Sequence, residues 1–167
     1  VTLKTRILDP DGHAVACVTD TRLLHFGEIE QTLTVENPTL WSPEDPVMYF
    51  VETEVYAGGS VNTDWNMDRP EISIADGTVP CDKVSTRFGF RTIEIIPDKG
   101  FFLNGEPRKF RGVCLHHDLG PLGAAINKAA VRRQLTMLKD MGCDAIRTSH
   151  NMPAEELIEL CDEMGFM

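Results

Sequence analysis

Residues 143–165 read CDAIRTSHNMPAEELIELCDEMG, and this stretch decides the fold. Its first part, DAIRTS (144–149), is a short apolar run suited to a buried strand. It closes on Arg147, Thr148, Ser149 and His150 rather than on an ordinary turn. Its second part has Pro153 near a first turn, acidic Glu155 and Glu156 where a helix dipole favours them, and Gly165 as a stop. Leu157, Leu160, Cys161 and Met164 fall on one helical face. A strand therefore runs into a helix.

The same design occurs one step earlier. KFRGVCL (109–115) is a strand, and NKAAVRRQLTMLKDMG (127–142) is a helix with Asn127 as cap, Gly142 as terminator and Val131, Leu135, Leu138 and Met141 as its apolar face. Strand, helix, strand, helix implies parallel strands joined by crossover helices. Phe166 and Met167 resemble the opening of a third strand. Two such units leave sheet faces and edges uncovered, so the pattern predicts the truncated start, two βα units, of a larger α/β domain.

Residues 1–96 have a different character. AVACV (14–18), IEQTLTV (29–35), VMYFVETEVY (47–56) and RFGFRTIEI (87–95) are rich in β-branched and aromatic residues. Ile29, Gln31, Leu33 and Val35 alternate onto one face, as do Val47, Tyr49, Val51, Thr53 and Val55. Turn signals separate the runs at Asp11-Gly12, Asn37-Pro38, Ser42-Pro43 and 57–60. Short strands spaced by such turns predict an all-β immunoglobulin-like sandwich over 1–96. Residues 62–83 are polar, carry Pro70 and Pro80, and read as a long loop. Of the two tryptophans, Trp41 is expected at the edge of the sandwich core, and Trp65, in the polar loop, is a candidate to stack on a sugar or a partner.

The net charge of −10, from 16 basic and 26 acidic residues, argues against a nucleic-acid partner. No run of apolar residues is long enough for a membrane helix, so no membrane partner is expected. The five cysteines (17, 81, 114, 143 and 161) show no zinc spacing and read as free, buried thiols.

In parallel barrels the functional face lies where strands end and βα loops begin. His116 and His117 follow the first strand, while Arg147 and His150 close the second. Both sets are expected on one face, in adjacent loops. A plainer reading gives His117 and Asp118 a loop-capping role. A metal site made of His116, His117, Asp118 and His150 matches no zinc-helix or finger spacing, and no metal is assigned. Ser149 lies at a strand end and not on a nucleophile elbow.

FGFRTIEIIPDKGFFLNGEPRKFRGVCLHHD (88–118) followed by AIRTSHNMPAEELIELCDEMGF (145–166) closely resembles glycoside hydrolase family 2, the β-galactosidase and β-glucuronidase group. NPTLWSPEDPVMYFVETEVY (37–56) resembles the end of that family's immunoglobulin-like domain. The likeness covers nearly the whole chain and is weakest over 60–84. It implies a sandwich over 1–96 and the start of a (β/α)8 TIM barrel over 97–167.

The resemblance implies a retaining exo-glycosidase of the β-galactosidase branch, acting on terminal β-D-galactosides. Two glutamates about 5 Å apart would perform the chemistry. Both come from later barrel strands, so no catalytic residue is expected within 1–167 and the chain alone is expected to be inactive. Arg147 matches the arginine beside the nucleophile, and His116 and His150 match sugar-binding histidines; His117 and Asp118 line the same pocket. Leu115 replaces a usual Asn or Arg, and Met152 replaces a usual proline. No cofactor is implied, a divalent cation or sodium in the full-length enzyme being left open. The implied partner is a β-galactoside, with self-association through the cut barrel as a further expectation. The alternatives are a non-catalytic carbohydrate-binding or scaffold module and a β-glucuronidase-type specificity.

Overall fold

The computed structural model describes all residues except 22–27, 58–59, 63–70 and 76. Trp65 and part of the loop expected at 62–83 lie outside the described residues. The chain forms two compact units, one of residues 1–38 with 49–88, the other of 39–48 with 89–167. The sequence reading changes character at 96/97; the division between units falls earlier, after Phe88.

The first unit contains β1 (Thr2–Leu8), β2 (Ala14–Thr21), β3 (Tyr49–Tyr56), β4 (Ser60–Asn62), β5 (Glu71–Ser73) and β6 (Asp82–Phe88). β2, β1, β3 and β6 form one antiparallel sheet in that order, and β4 pairs with β5. One sheet face meets the segment 29–35, where the Thr5 hydroxyl donates to Gln31 Oε1 at 2.6 Å. Ile29, Gln31, Leu33 and Val35 are half-buried there and their neighbours exposed, as the alternation predicts. The segment is nevertheless no strand, a departure from the sequence reading. Period two reports which side chains turn inward, not whether the backbone finds a ladder partner. The opposite sheet face is charged: Arg6 donates to Glu52 and Glu54, Lys83 pairs with Glu52 at 3.0 Å, and Tyr56 Oη donates to Glu54. The expected loop at 62–83 is also cut by β5 and by the start of β6.

The second unit opens with a meander of β7 (Ile93–Ile96), β8 (Gly100–Leu103) and β9 (Glu106–Pro107). The single strand expected over 87–95 is thus broken at 89–92. Trp41 explains the break. A Cβ on Gly89 would meet the indole side chain at 2.8 Å, and Trp41 N donates to Phe90 O. Trp41 is 2% exposed and belongs to this second unit, whereas the sequence reading groups it with the sandwich. Its buried indole N–H needs an acceptor, and Asp162 O supplies one at 2.9 Å from the last turn of the final helix, where carbonyls lack helical partners.

The expected βα pattern then follows as β10 (Gly112–Leu115), α1 (Lys128–Asp140), β11 (Ala145–Thr148) and α2 (Glu155–Met164). β10 and β11 are parallel, with Val113 opposite Ile146 and Cys114 opposite Arg147. Asn127 caps α1 by accepting from Ala130 N, and Gly165 ends α2 with φ 72°. Val131, Leu135, Leu160 and Phe166 form the core, flanked by Leu115, Leu138, Ile146 and Leu157. Leu135 and Leu160 are 0% exposed, and burying each contributes about 2 kcal/mol. Met141 is 72% exposed and leaves the apolar stripe expected of it, because α1 ends at Asp140 and the cap turns outward. On the far edge of β11, Met167 N donates to Asp144 O and Met167 O accepts from Ile146 N. That is parallel pairing, as expected for the opening of a third strand.

All five cysteines are free, as the sequence reading has it. Burial fails for Cys17, Cys81 and Cys114, which are exposed. Cys161 is different: burial pushes its thiol up to about 12. Among the described residues no helix is long and apolar enough to cross a membrane.

Candidate functional site

The site lies where β10 and β11 end. Alternation along a strand sends side chains to opposite faces. Leu115 and Ile146 join the helix-side core, so Cys114, Arg147 and Ser149 take the other face. There the Arg147 guanidinium donates from Nη1 to Ser149 Oγ at 3.2 Å and approaches Cys114 Sγ at 3.8 Å. The Ser149 hydroxyl and this guanidinium hold the Cys114 thiol below its ordinary range. Ser149 is 3% exposed, and its N–H donates to Leu115 O at 2.9 Å, which ties the end of β11 to the end of β10.

The chain continues from each strand into a histidine. His116 and His150 meet edge to face with ring centroids 6.0 Å apart. Both are exposed, as are His117, Asp118 and Arg147. His116, His117, Asp118, Ser149 and Asn151 line one crevice, together with the apolar side chains of Ile126 and Met152. The structure therefore brings His116, His117 and Asp118 to one crevice, with His150 against the ring of His116 and Arg147 on the adjoining sheet face. Asp118 also makes a local backbone bond of the kind the plainer reading assigns to it. Its Oδ1 accepts from Gly120 N at 2.8 Å, where a short 3-10 turn begins.

Leu115 lines the same crevice from below. Its side chain packs against the core between sheet and helices. Met152 is 89% exposed on the crevice rim. Among the described residues, metal-ligating atoms converge at Asp9, Asp11 and His13 in the β1–β2 turn of the first unit, and not at these histidines. Asp9 Oδ1 there accepts from the Asp11 and His13 backbone, which is ordinary turn bonding.

Cys114 and Ser149 are neighbours of Arg147 to which the sequence reading gives no part in the site: it weighs Ser149 only as a nucleophile and reads Cys114 as a buried thiol. The signal available for them was strand alternation: Ser149 stands two residues after Arg147, and Cys114 is its register partner.

The chain has matches among known proteins. The family model for glycosyl hydrolases family 2 matches residues 1–68, and the model for the TIM barrel domain of glycosyl hydrolases family 2 matches 94–167. The chain is 40% identical to β-galactosidase BoGH2A of Bacteroides ovatus over its whole length, and covers 18% of that protein. It is 37% identical to a putative β-glucuronidase of Formosa agariphila, covering 96% of this chain and 14% of that one. The crystal structure of a Bacteroides uniformis β-glucuronidase superposes on 99% of this chain with a TM-score of 0.79 at 32% identity, over 18% of its own length. The chain belongs to glycoside hydrolase family 2. It spans about a fifth or less of the length of these relatives.

Proposed function

We propose that residues 1–167 form part of a longer retaining exo-glycosidase of the β-galactosidase type, and that 97–167 open its (β/α)8 barrel. One observation carries this reading: His116 and His150, distant in sequence, face each other at 6.0 Å where two adjacent parallel strands end. Barrel enzymes build their sites at that end. Imidazoles there can bond sugar hydroxyls and strengthen those bonds as the oxocarbenium-like transition state forms.

Arg147 supplies the positive charge. Its guanidinium lies on the helix-free face of the sheet, exposed, with a hydroxyl and a thiol as neighbours. A carboxylate brought against it would be held ionised and oriented, as a glycosidase nucleophile requires. The catalytic glutamates are assigned to chain outside 1–167. Glu155, Glu156, Glu159 and Glu163 lie on α2, and the last two pair with Lys128 and Arg132 of α1. They stand on a helix face rather than at a strand end.

Relatives named β-glucuronidase match as well as those named β-galactosidase, so glucuronide hydrolysis is the second reading. The test is a panel of aryl β-galactoside and aryl β-glucuronide substrates, offered to the longer protein and to the 167-residue chain. The expected result is galactoside turnover by the longer protein and none by the chain. A longer protein that turns over neither substrate overturns the glycosidase reading. A preference for the glucuronide overturns the galactosidase assignment alone.

A further inference from the structure

We infer that Ser149 is a positioning residue that fixes the Arg147 guanidinium on the open face of the sheet. The inference rests on the reading of Arg147 as the arginine that orients a carboxylate. Arg147 has a long, exposed side chain with several rotatable bonds. Such a chain orients nothing unless its head is held. Ser149 meets that need. Its backbone is anchored by the bond from its N–H to Leu115 O, and its side chain is buried. Its Oγ accepts from Arg147 Nη1 at 3.2 Å. Cys114 Sγ, at 3.8 Å, flanks the same Nη1 from the neighbouring strand. The guanidinium is thus gripped along one edge by residues of two strands, while its other nitrogens stay available to an incoming carboxylate.

A serine at this point does what alanine cannot. It is small enough to be buried and carries a lone pair aimed at a cation, and charge-assisted bonds of this kind are the stronger ones. It performs no chemistry and touches no reacting atom.

The test uses two readouts. In the longer enzyme, Ser149→Ala is expected to lower kcat about tenfold, the effect of one lost hydrogen bond to a charged group, with KM nearly unchanged. Ser149→Thr, which keeps the hydroxyl, is expected to recover most of that loss. In the 167-residue chain, the pH dependence of Cys114 alkylation by iodoacetamide is followed by peptide mass spectrometry, with Cys17 and Cys81 as controls in the same sample. Because the Ser149 hydroxyl also acts on the Cys114 thiol directly, the shift is read in two backgrounds: Ser149→Ala is expected to move the Cys114 profile to higher pH, to move it less when Arg147→Ala is already present, and to leave the controls in place. An unchanged Cys114 profile overturns the inference, as does a shift of equal size in both backgrounds or a kcat equal to that of the unaltered enzyme. Absence of turnover in the unaltered longer enzyme instead sinks the glycosidase reading, and the alkylation profile still decides the role of Ser149.

Discussion

The two ends of β10 and β11 are built to opposite specifications. Where the strands begin, charges are spent on one another. Asp144 accepts from Arg111 N and from Arg108 at 2.9 Å, and Arg108 also reaches Glu44 at 2.7 Å. Lys139 donates to Pro43 O and Gly165 O and lies 4.8 Å from the centroid of the Phe166 ring. Where the strands finish, charge and ring nitrogens are left facing outward. Among the described residues, the rings of His116 and His150 contact each other and join no ion pair. Arg147 likewise meets a hydroxyl and a thiol, not a carboxylate. One end of the sheet is closed by paired charges, and the other is the end at which we propose a ligand binds. Barrel proteins divide their labour in the same way.

The contrast can be tested by damaging each end in turn. The largest effect is expected at the open end. In the longer enzyme Arg147→Ala should lower kcat/KM on an aryl β-galactoside by about a hundredfold or more, the scale seen when a preorganised charged partner is removed. The melting temperature should stay within a degree or so, because an exposed side chain is lost. A large fall in melting temperature with intact activity would reverse the assignment of the two ends.

Asp144→Ala should do the opposite. It removes the carboxylate that accepts from Arg108 and the Arg111 N–H, which leaves a part-buried guanidinium with the exposed Glu44 as its remaining partner. A loss of about 3 kcal/mol is expected, visible as a lower denaturation midpoint for the unit of 39–48 with 89–167. Cys114 alkylation at the far end of the strands should keep its pH profile while the unit stays folded. A changed profile in the folded state would mean that the two ends are coupled.

The smallest effect concerns acid. Arg108 holds the Glu44 carboxyl below its ordinary 4.5. A lowered folded value makes the stabilisation present above the unfolded value and lost as pH falls through the folded one. Stability should therefore decline below about pH 4.5 in part through this pair, and Glu44→Gln should flatten that decline. Glu44 is largely exposed, so the difference is expected to stay under about 1 kcal/mol. Identical acid profiles for the two proteins would remove Glu44 from the closed end.

Much of the second unit could be read from the residues themselves. Asn127 and Gly165 mark helix boundaries because cap geometry is local, and the apolar spacing of Leu135 and Leu160 marks the buried faces. Parallel strands followed from the alternation of strand and helix. At the candidate site, His116 and His150 could be placed together because both follow strands that the topology sets side by side. Other features were closed to sequence reasoning. Segment 29–35 has the alternation of a strand and lacks its partner. Trp41 sits beside strand-like sequence, yet its N–H is satisfied by Asp162, far along the chain. The same distance hid the split of 87–95 into two strands, which depends on Gly89 passing close to that indole.

The sequence by itself determined the local elements of the βα units: the strands β10 and β11, where the helices start and stop, and which residues terminate each strand. Periodicity and capping act over a few residues, so their signal survives in one dimension. Only the tertiary structure decided which buried polar atom answers which. It gave the indole of Trp41 to Asp162, Arg108 to Glu44 and Asp144, and Arg147 to Ser149 and Cys114. Those choices depend on burial and on distances of a few ångströms between residues far apart in the chain, and no spacing along the chain encodes them.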